Sequence, residues 1–467
     1  MLILQMVRLL FIMPVVAVIL LPVYFLFLKG PPPMPDLDYN EWWGPQSLKG
    51  KQDTSVKPFK ISFGDTLKDL RDRLKRPRSF TPPLEGVSFE YGFNSNQLDG
   101  WLKYWADEYQ FKERENFLNQ FPQFKTNVQG LDIHFIRVPS GVEIVPLILL
   151  HGWPGSVREF YEVIPLLTAV SKDRNFALEV IVPSLPGYGF SDPAVKPGLG
   201  AAQIGIVMRN LMHRLGHKQF YVQGGDWGSI IGTTMATIFP KEVLGFHSNM
   251  AFTMTAAGTF LEFVGALYPP LVVDAHLAER MYPLKQTYSH LLEESGYFHL
   301  QATKPDTVGI ALSDSPAGLL AYILEKFSTW TRPDHRSKPD GGITFRFTKE
   351  QLIDNLMMYW TTKSITTSMR LYSENFNSKT MAHLLSPLLL HRIPTPVPTW
   401  IVQAKYELAY QPPCILKLKF PNLVNSTTLD DGGHFLAFEL PKVFSEDVLT
   451  AMAEFRKLAK NVKTENR

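Results

Sequence analysis

Short apolar runs alternate with helical stretches through the middle of this chain, and each run ends in a glycine-rich or polar turn. Three of them, Val145–Leu150, Leu178–Pro183 and Gln219–Val222, end at HGWPGS, SLPGYGFSD and QGGDWGS, and a fourth begins at Leu244. Almost wholly apolar strands separated by helices are typical of a parallel sheet buried on both faces. The sequence therefore predicts an α/β core. Its turns lie at one edge of the sheet, where such folds bind ligands.

A long helical segment interrupts this core. Residues 250–395 have a helical pattern rich in tyrosine and phenylalanine, and strand-like runs resume only at Val397–Gln403 and Val424–Leu429. Upstream, Asp65–Arg76 and Leu98–Gln120 are predicted helices of a separate amino-terminal module. A sheet split by a helical insertion is expected to be a core with a cap. We expect five parts, namely an anchor (1–30), a helical arm (31–123), the first part of the core (124–249), a helical cap (250–395) and the second part of the core (396–467).

The first residues contain an uncharged run of the length needed to cross a membrane. Leu9–Leu28 is bracketed by Arg8 and Lys29. As a helix it would be about 30 Å long, the thickness of the hydrocarbon layer. A cleaved signal peptide is the alternative, but its apolar region is shorter and ends at small residues, whereas KGPPPMP follows here. The sequence predicts one retained amino-terminal transmembrane helix.

Composition excludes several classes of protein. The chain of 467 residues is 45% hydrophobic, so it is not disordered throughout, and its net charge of +3 gives no argument for a nucleic-acid partner. The single cysteine, Cys414, excludes an internal disulfide and a four-cysteine zinc site. His213 and His217 have the spacing of two metal ligands on one helix, but no third ligand is placed beside them. No metal site is predicted.

The segment Gly224–Ser229 (GGDWGS) has the pattern of a nucleophile elbow. Small residues stand two positions before and after Asp226, between a predicted strand and a predicted helix, and no G-x-S-x-G occurs in the chain. The alternative is an ordinary helix start capped by Asp226. The surrounding motifs favour an aspartate nucleophile.

Other motifs supply the remaining parts of a hydrolase site. In the α/β-hydrolase architecture, the loop after an earlier strand and the residue after the nucleophile donate the two oxyanion-hole amides, here of Trp153 and Trp227. His434 follows the last predicted strand in GGHF, and Glu407 follows the strand before it. The order nucleophile, acid, histidine is that of the α/β-hydrolase triad. Two other acids compete with Glu407 as partners of His434, namely Asp430 and Asp431.

An aspartate nucleophile restricts the substrate. Its attack on an sp³ carbon that bears a leaving group gives a stable alkyl ester, so the substrates are epoxides or alkyl halides. Water activated by His434 would then attack the Asp226 carbonyl carbon, with the amides holding the developing charge. Opening an epoxide also requires a proton donor, for which tyrosine is suited. Reasoning from the residues does not discriminate among seven tyrosines of the insertion, namely Tyr268, Tyr282, Tyr288, Tyr297, Tyr322, Tyr359 and Tyr372.

On these motifs the chain resembles the microsomal epoxide hydrolases, and within that family most of all the insect juvenile hormone epoxide hydrolases. The resemblance covers nearly the whole chain, including the amino-terminal run, WWGP, HGWPGS, PSLPGYGFSD, YVQGGDWGS and GGHF. It implies an α/β-hydrolase fold with a helical cap, a helical amino-terminal arm and the anchor. It also implies a cofactor-independent enzyme of the endoplasmic-reticulum membrane whose catalytic part faces the cytosol.

The resemblance assigns roles residue by residue. It implies Asp226 as nucleophile, His434 as base and Glu407 as the partner of His434. It further implies that Tyr297 and Tyr372 polarise the epoxide oxygen, and that the Trp153–Pro154 peptide bond is cis.

The expected function is hydrolysis of lipophilic epoxides, juvenile hormone above all, to vicinal diols. A haloalkane dehalogenase shares the aspartate elbow, but two cap tyrosines suit an alkoxide better than a halide. A catalytically silent hormone-binding relative is a second alternative, opposed by the complete set Asp226, Glu407 and His434. The sequon at Asn425 is predicted to lie in a core strand, which favours an unmodified side chain.

Overall fold

The computed structural model of this chain describes residues 29–76, 78–139, 144–171, 174–377 and 387–465. The predicted membrane anchor lies outside the described residues, apart from its last two positions.

Nine strands form one mixed sheet in the order β1-β2-β3-β5-β4-β6-β7-β8-β9. The strands β4 to β9 run parallel, whereas β1, β2 and β3 are antiparallel to their neighbours. The bounds are β1 Lys57–Phe59, β2 Gln123–Val128, β3 Leu131–Val138, β4 Ile144–Leu150, β5 Ala177–Pro183, β6 Phe220–Gly224, β7 Val243–Ser248, β8 Thr399–Gln403 and β9 Leu423–Thr428.

The parallel half of the sheet confirms the α/β core predicted from the apolar runs. Every residue of β5, β6 and β8 is buried, as expected for strands covered by helices on both faces. The edge strand β9 differs, since Asn425 is exposed there. The predicted core position of the Asn425 sequon is therefore wrong, because β9 has a neighbour on one side only.

The antiparallel strands β1 to β3 were not predicted. β2 and β3 form a hairpin through Gln129 and Gly130, which have positive φ angles of 53° and 88°. Their polar and apolar residues alternate less regularly than in a half-exposed strand, and the turn lacks the common Asn-Gly or Asp-Gly pair. β1 comes from the predicted helical arm, which is therefore not purely helical.

The described residues form seventeen α-helices. They are α1 Gly64–Leu74, α2 Leu98–Lys103, α3 Phe111–Leu118, α4 Ile164–Thr168, α5 Ala201–Arg214, α6 Trp227–Ile238, α7 Ala256–Leu267, α8 Leu284–Glu294, α9 Gly296–Thr303, α10 Pro305–Asp314, α11 Pro316–Thr329, α12 Lys349–Thr362, α13 Ile365–Phe376, α14 Pro387–Leu390, α15 Pro413–Leu416, α16 Leu436–Glu439 and α17 Pro441–Glu465.

The second arm helix is shorter than predicted. A π-helical turn at Tyr104–Glu108 follows α2, and the backbone is extended at Tyr109 before α3 begins. The predicted helix Leu98–Gln120 is thus two short helices. The break turns the Tyr109 side chain into the interior, where its hydroxyl donates a hydrogen bond to Asp354.

Helices α7 to α14 lie between β7 and β8 and form the cap. Within the described part of the chain, no single helix is both long and apolar enough to cross a membrane. The pair α10 and α11 meets both criteria only when the two are taken together, and a bend of 117° separates them.

One buried carboxylate joins the arm, the core and the cap. Asp354 on the cap helix α12 accepts hydrogen bonds from Tyr109 Oη (2.9 Å) and Arg114 Nε (3.0 Å) of the arm. It also accepts one from Arg158 Nε (2.9 Å), which follows β4 in the core. Asp354 and Arg158 are both essentially inaccessible to solvent. A buried charge that satisfies groups from three parts of the chain fixes how those parts pack.

We expect Asp354→Ala to destabilise the protein by about 3–5 kcal/mol, because it leaves the buried Arg158 guanidinium without this partner. Urea denaturation followed by tryptophan fluorescence measures the change. Asp306→Ala is the matched control, since Asp306 forms an exposed ion pair with Arg370 whose loss is expected to cost about 1 kcal/mol or less. Equal losses in the two variants would contradict a special role for Asp354.

Candidate active site

The predicted site residues come together at the carboxyl ends of the parallel strands. Trp153 follows β4, Asp226 follows β6, Glu407 follows β8 and His434 follows β9. Because these strand ends share one edge of the sheet, residues nearly 300 positions apart meet there.

The turn at Asp226 is strained and closely packed. Asp226 has φ 48° and ψ −129°, a conformation that non-glycine residues rarely adopt. A Cβ atom on Gly224 would lie 2.2 Å from the Gly228 carbonyl oxygen, and one on Gly228 would lie 1.9 Å from the Leu150 carbonyl oxygen. Both positions therefore require glycine, as the elbow pattern predicts. The turn places the Asp226 side chain at the start of α6.

His434 lies between two carboxylates. Its Nδ1 is 2.7 Å from Glu407 Oε1, and its Nε2 is 3.5 Å from Asp226 Oδ2. The Asp430 side chain is fully exposed, and Asp431 forms an ion pair with Arg346. Of the three acids considered from the sequence, the structure brings Glu407 to His434.

The two carboxylates control the protonation of His434. Burial alone would lower the pKa of this imidazole, but the negative charges and hydrogen bonds of Glu407 and Asp226 outweigh burial. Together they hold the pKa of His434 well above its usual 6.5. A change in charge at Asp226 therefore alters the basicity of His434 directly.

Backbone amides flank Asp226. The Trp153 N–H donates to Asp226 Oδ1 at 2.7 Å, and the Trp227 N–H belongs to the first turn of α6, where amides have no partner within the helix. The Trp153–Pro154 peptide bond is cis, as the resemblance implied. These two amides are those that the sequence predicted for an oxyanion hole.

The cap helix α12 holds the loop that carries Trp153. Asn355 Nδ2 donates to the Pro154 carbonyl at 2.8 Å, and the Tyr359 hydroxyl donates to the Gly155 carbonyl at 2.6 Å. These neutral, buried hydrogen bonds fix the direction of the loop and of its amide.

Two cap tyrosines face Asp226 across an apolar cavity of about 290 Å³. Tyr297 stacks on Trp153 with ring centroids 5.3 Å apart, and Tyr372 packs edge-on against Trp227 at 4.8 Å. Burial, and to a smaller degree the Asp226 charge, raises the pKa of both phenols well above 10, so both remain protonated. The Tyr372 hydroxyl is buried without a hydrogen-bond partner among the described residues.

The other five tyrosines have different surroundings. The Tyr359 and Tyr282 hydroxyls donate to backbone carbonyls, and Tyr322 accepts a hydrogen bond from Gln301. Tyr268 and Tyr288 are exposed. None of these five lines the cavity, whereas Tyr297 and Tyr372 do.

Sequence reasoning missed three polar residues around His434. Glu439 accepts hydrogen bonds from the Gly433 and Phe435 amides at 2.9 and 3.0 Å, on either side of His434. Glu159 and Asn249 line a small cavity beside Asp226. None of the three lies in a recognisable motif. The burial that raises the pKa of Glu159 and of Glu439 to about 8 is a property of the folded chain only.

His213 and His217, whose spacing is that of two metal ligands on one helix, do not share a binding partner. His213 Nε2 lies 2.8 Å from Glu242 Oε2, and His217 Nε2 lies 3.1 Å from Glu179 Oε2. Each imidazole therefore interacts with a different carboxylate. No cluster of three or more metal-ligating side chains occurs among the described residues.

Two family models match this chain, one over part of the arm and the start of the core and one over most of the core and the cap. The family model described as "Epoxide hydrolase N terminus" matches residues 56–160, and the one described as "alpha/beta hydrolase fold" matches residues 145–441. The α/β-hydrolase fold predicted from the sequence is thereby confirmed.

Similar proteins share nearly the full length. A Bombyx mori protein named juvenile hormone epoxide hydrolase is 68% identical over 464 residues, which cover 98% of this chain and 99% of the relative. Epoxide hydrolase 1 of Oryctolagus cuniculus is 44% identical over 421 residues, 87% of this chain and 91% of the relative. The crystal structure of the Bombyx mori juvenile hormone epoxide hydrolase matches with a TM-score of 0.88 and 68% identity, over 91% of this chain and 100% of that one.

Proposed function

This chain belongs to the epoxide hydrolase family and hydrolyses epoxides, and we propose that its substrate is juvenile hormone and its nucleophile Asp226. The single observation that carries the proposed mechanism is the line of contacts from Asp226 through His434 to Glu407. The reaction as proposed uses this chain's own groups and water.

In the first step, Asp226 attacks an epoxide carbon. The two oxygens of Asp226 are not equivalent, because Oδ1 accepts the Trp153 amide at 2.7 Å while Oδ2 is 3.5 Å from His434 Nε2. We assign the attack to Oδ2. Oδ1 then becomes the carbonyl oxygen of the ester, already bound to an oxyanion-hole donor.

Tyr297 and Tyr372 donate hydrogen bonds to the epoxide oxygen as its bond to carbon breaks. Their burial keeps both phenols protonated until a strong base, the developing alkoxide, forms beside them. The unpartnered Tyr372 hydroxyl supports this role, because a buried hydroxyl without a partner is costly unless a ligand satisfies it.

In the second step, water hydrolyses the ester. The negative charge around His434 is smaller in this step than in the first. Ester formation removes the negative charge of Asp226, which is one of the two charges that raise the pKa of His434. The imidazole then loses its proton more readily and becomes a base when a base is needed. Glu407 orients it and stabilises the imidazolium.

Two features support a lipophilic substrate. The cavity beside Asp226 is lined mainly by apolar and aromatic side chains, as a site for a sesquiterpenoid requires. The relative at 68% identity carries juvenile hormone in its name.

We also propose that residues 9–28 anchor the chain in the endoplasmic-reticulum membrane, with the catalytic part in the cytosol. The uncharged run of 20 residues supports this. The full-length chain is expected to stay in the membrane pellet after extraction of microsomes with alkaline carbonate. Release into the supernatant would rule out an integral anchor.

We expect the full-length protein in detergent to convert juvenile hormone to its diol, and Asp226→Ala to form none, because the variant lacks the carboxylate that forms the ester. Chromatography of the product measures the conversion. Diol formation by Asp226→Ala near the wild-type rate would remove Asp226 from this role. Chloride release from haloalkanes instead of diol, or epoxide binding without turnover, would favour the dehalogenase or the silent binding protein.

Lowering the pH should make the Asp226 ester accumulate. Below the pKa of His434, ester hydrolysis is expected to slow by about tenfold per pH unit, because it requires the neutral imidazole, whereas ester formation does not. Rapid quenching followed by mass spectrometry of the Asp226 peptide measures both steps. Glu407→Gln removes a charge that raises the pKa of His434, so its profile should shift to lower pH. An ester whose hydrolysis is independent of pH would refute His434 as the base.

A further inference from the structure

A second, much smaller cavity lies beside Asp226. It is lined by the Trp153 loop, the turn before α6 and the His434 loop, and it has Asp226 as its only lining residue in common with the large apolar cavity. The nucleophile therefore separates two compartments of different size.

The volume of the small cavity, about 20 Å³, fits one water molecule. A cavity needs only about 10–15 Å³ to hold a water, provided that two to four polar groups face it. The polar residues Glu159, Asn249 and His434 all line this cavity. The site is therefore polar enough to bind water and too small for a substrate.

Glu159 reaches this cavity because Gly155 has no side chain. Its Oε1 lies 1.5 Å from the position that a Cβ on Gly155 would occupy, so any larger residue at 155 would displace it. The charged groups that act on Glu159 are His434 and Asp226 rather than a lysine or an arginine. Glu159 therefore shares the small cavity with Asp226 and His434 and lies within range of their charges.

We propose that the small cavity holds the water that hydrolyses the Asp226 ester, and that Glu159 orients this water towards the ester carbonyl carbon. This inference rests on the covalent mechanism proposed above. Asn249 contributes a second polar group, and its Oδ1 is fixed by a hydrogen bond of 2.8 Å from Gln223 Nε2.

The ester is hydrolysed through a tetrahedral intermediate. The water oxygen bonds to Asp226 Cγ, one of its protons passes to His434 Nε2, and its other hydrogen is held by a Glu159 carboxyl oxygen. The tetrahedral intermediate then breaks the bond to the substrate oxygen, and that oxygen takes the proton from His434 to give the diol. Asp226 is restored as a carboxylate with one oxygen from water, and the proton left on its carboxyl group returns to the cap tyrosine that gave its proton to the epoxide oxygen.

The protonation state of Glu159 fits this role. Burial raises the pKa of Glu159 to about 8, so the group is mainly neutral at pH 7. A neutral carboxyl group accepts a hydrogen bond from water without adding a negative charge to that of Glu407 beside His434. Glutamine has the same shape and also carries an acceptor oxygen.

The test separates the two chemical steps in single-turnover experiments. Glu159→Ala should slow ester hydrolysis about 100-fold while leaving ester formation within about threefold of wild type. Glu159→Gln should restore most of the hydrolysis rate. Glu162→Gln is the matched control, because Glu162 lies one turn further on and pairs with Arg158 at 2.8 Å. Its ester hydrolysis should be unchanged.

Wild-type ester hydrolysis in Glu159→Ala, or equal slowing of both steps, overturns the role of Glu159 but leaves the covalent mechanism intact. Diol formation without any ester on Asp226 in the wild type overturns the proposed mechanism and this inference together. If Glu159→Ala does not fold, a high-resolution structure of the wild type decides. One water bound to both Glu159 and His434 supports the inference, and a water bound elsewhere overturns it.

Discussion

The hydrogen bonds made by one cap helix, α12, are the constraint on which the rest of the structure depends. Asp354 ties this helix to the arm and to the core, and the next residue, Asn355, together with Tyr359, holds the loop that carries Trp153. The direction of the Trp153 amide, the proposed oxyanion-hole donor, is thus set by the cap and not by the sheet alone. Tyr109 and Arg114 of the arm bind the same helix through Asp354, so the arm supports the loop that carries Trp153.

The second organising feature is the distribution of negative charge around His434. Asp226 and Glu407 raise the pKa of the imidazole, while burial keeps two further carboxyl groups, Glu159 and Glu439, close to neutral near pH 7. With one imidazolium, two carboxylates leave a net charge of −1 in the site, whereas four would leave −3. The site therefore gathers four acids around one base by giving half of them surroundings that disfavour charge.

Much of the fold and part of the site could be predicted from the sequence, for physical reasons that differ between residues. Asp226 lies in a turn so tight that only a few small residues fit around it, and this constraint is visible as a local pattern. His434 follows from the order of elements. Without the resemblance, the choice of Glu407 over Asp430 and Asp431 required coordinates, as did the selection of Tyr297 and Tyr372 among seven tyrosines. Glu159 was missed because nothing local indicates that its side chain folds back over Gly155. The β2–β3 hairpin was missed because its polar and apolar residues alternate irregularly and because its turn lacks the common Asn-Gly or Asp-Gly pair.

The separation of the two cavities by Asp226 makes substrate range and the lifetime of the covalent intermediate independent traits. Side chains on the large cavity can change, and admit bulkier or more polar epoxides, without disturbing the place from which water attacks. Conversely, an inhibitor that alkylates Asp226 would not protect its own ester by filling the large cavity, since the attacking water is proposed to occupy the small one. A durable inactivator of this enzyme would have to block the water compartment, or form a bond to Asp226 that water cannot cleave.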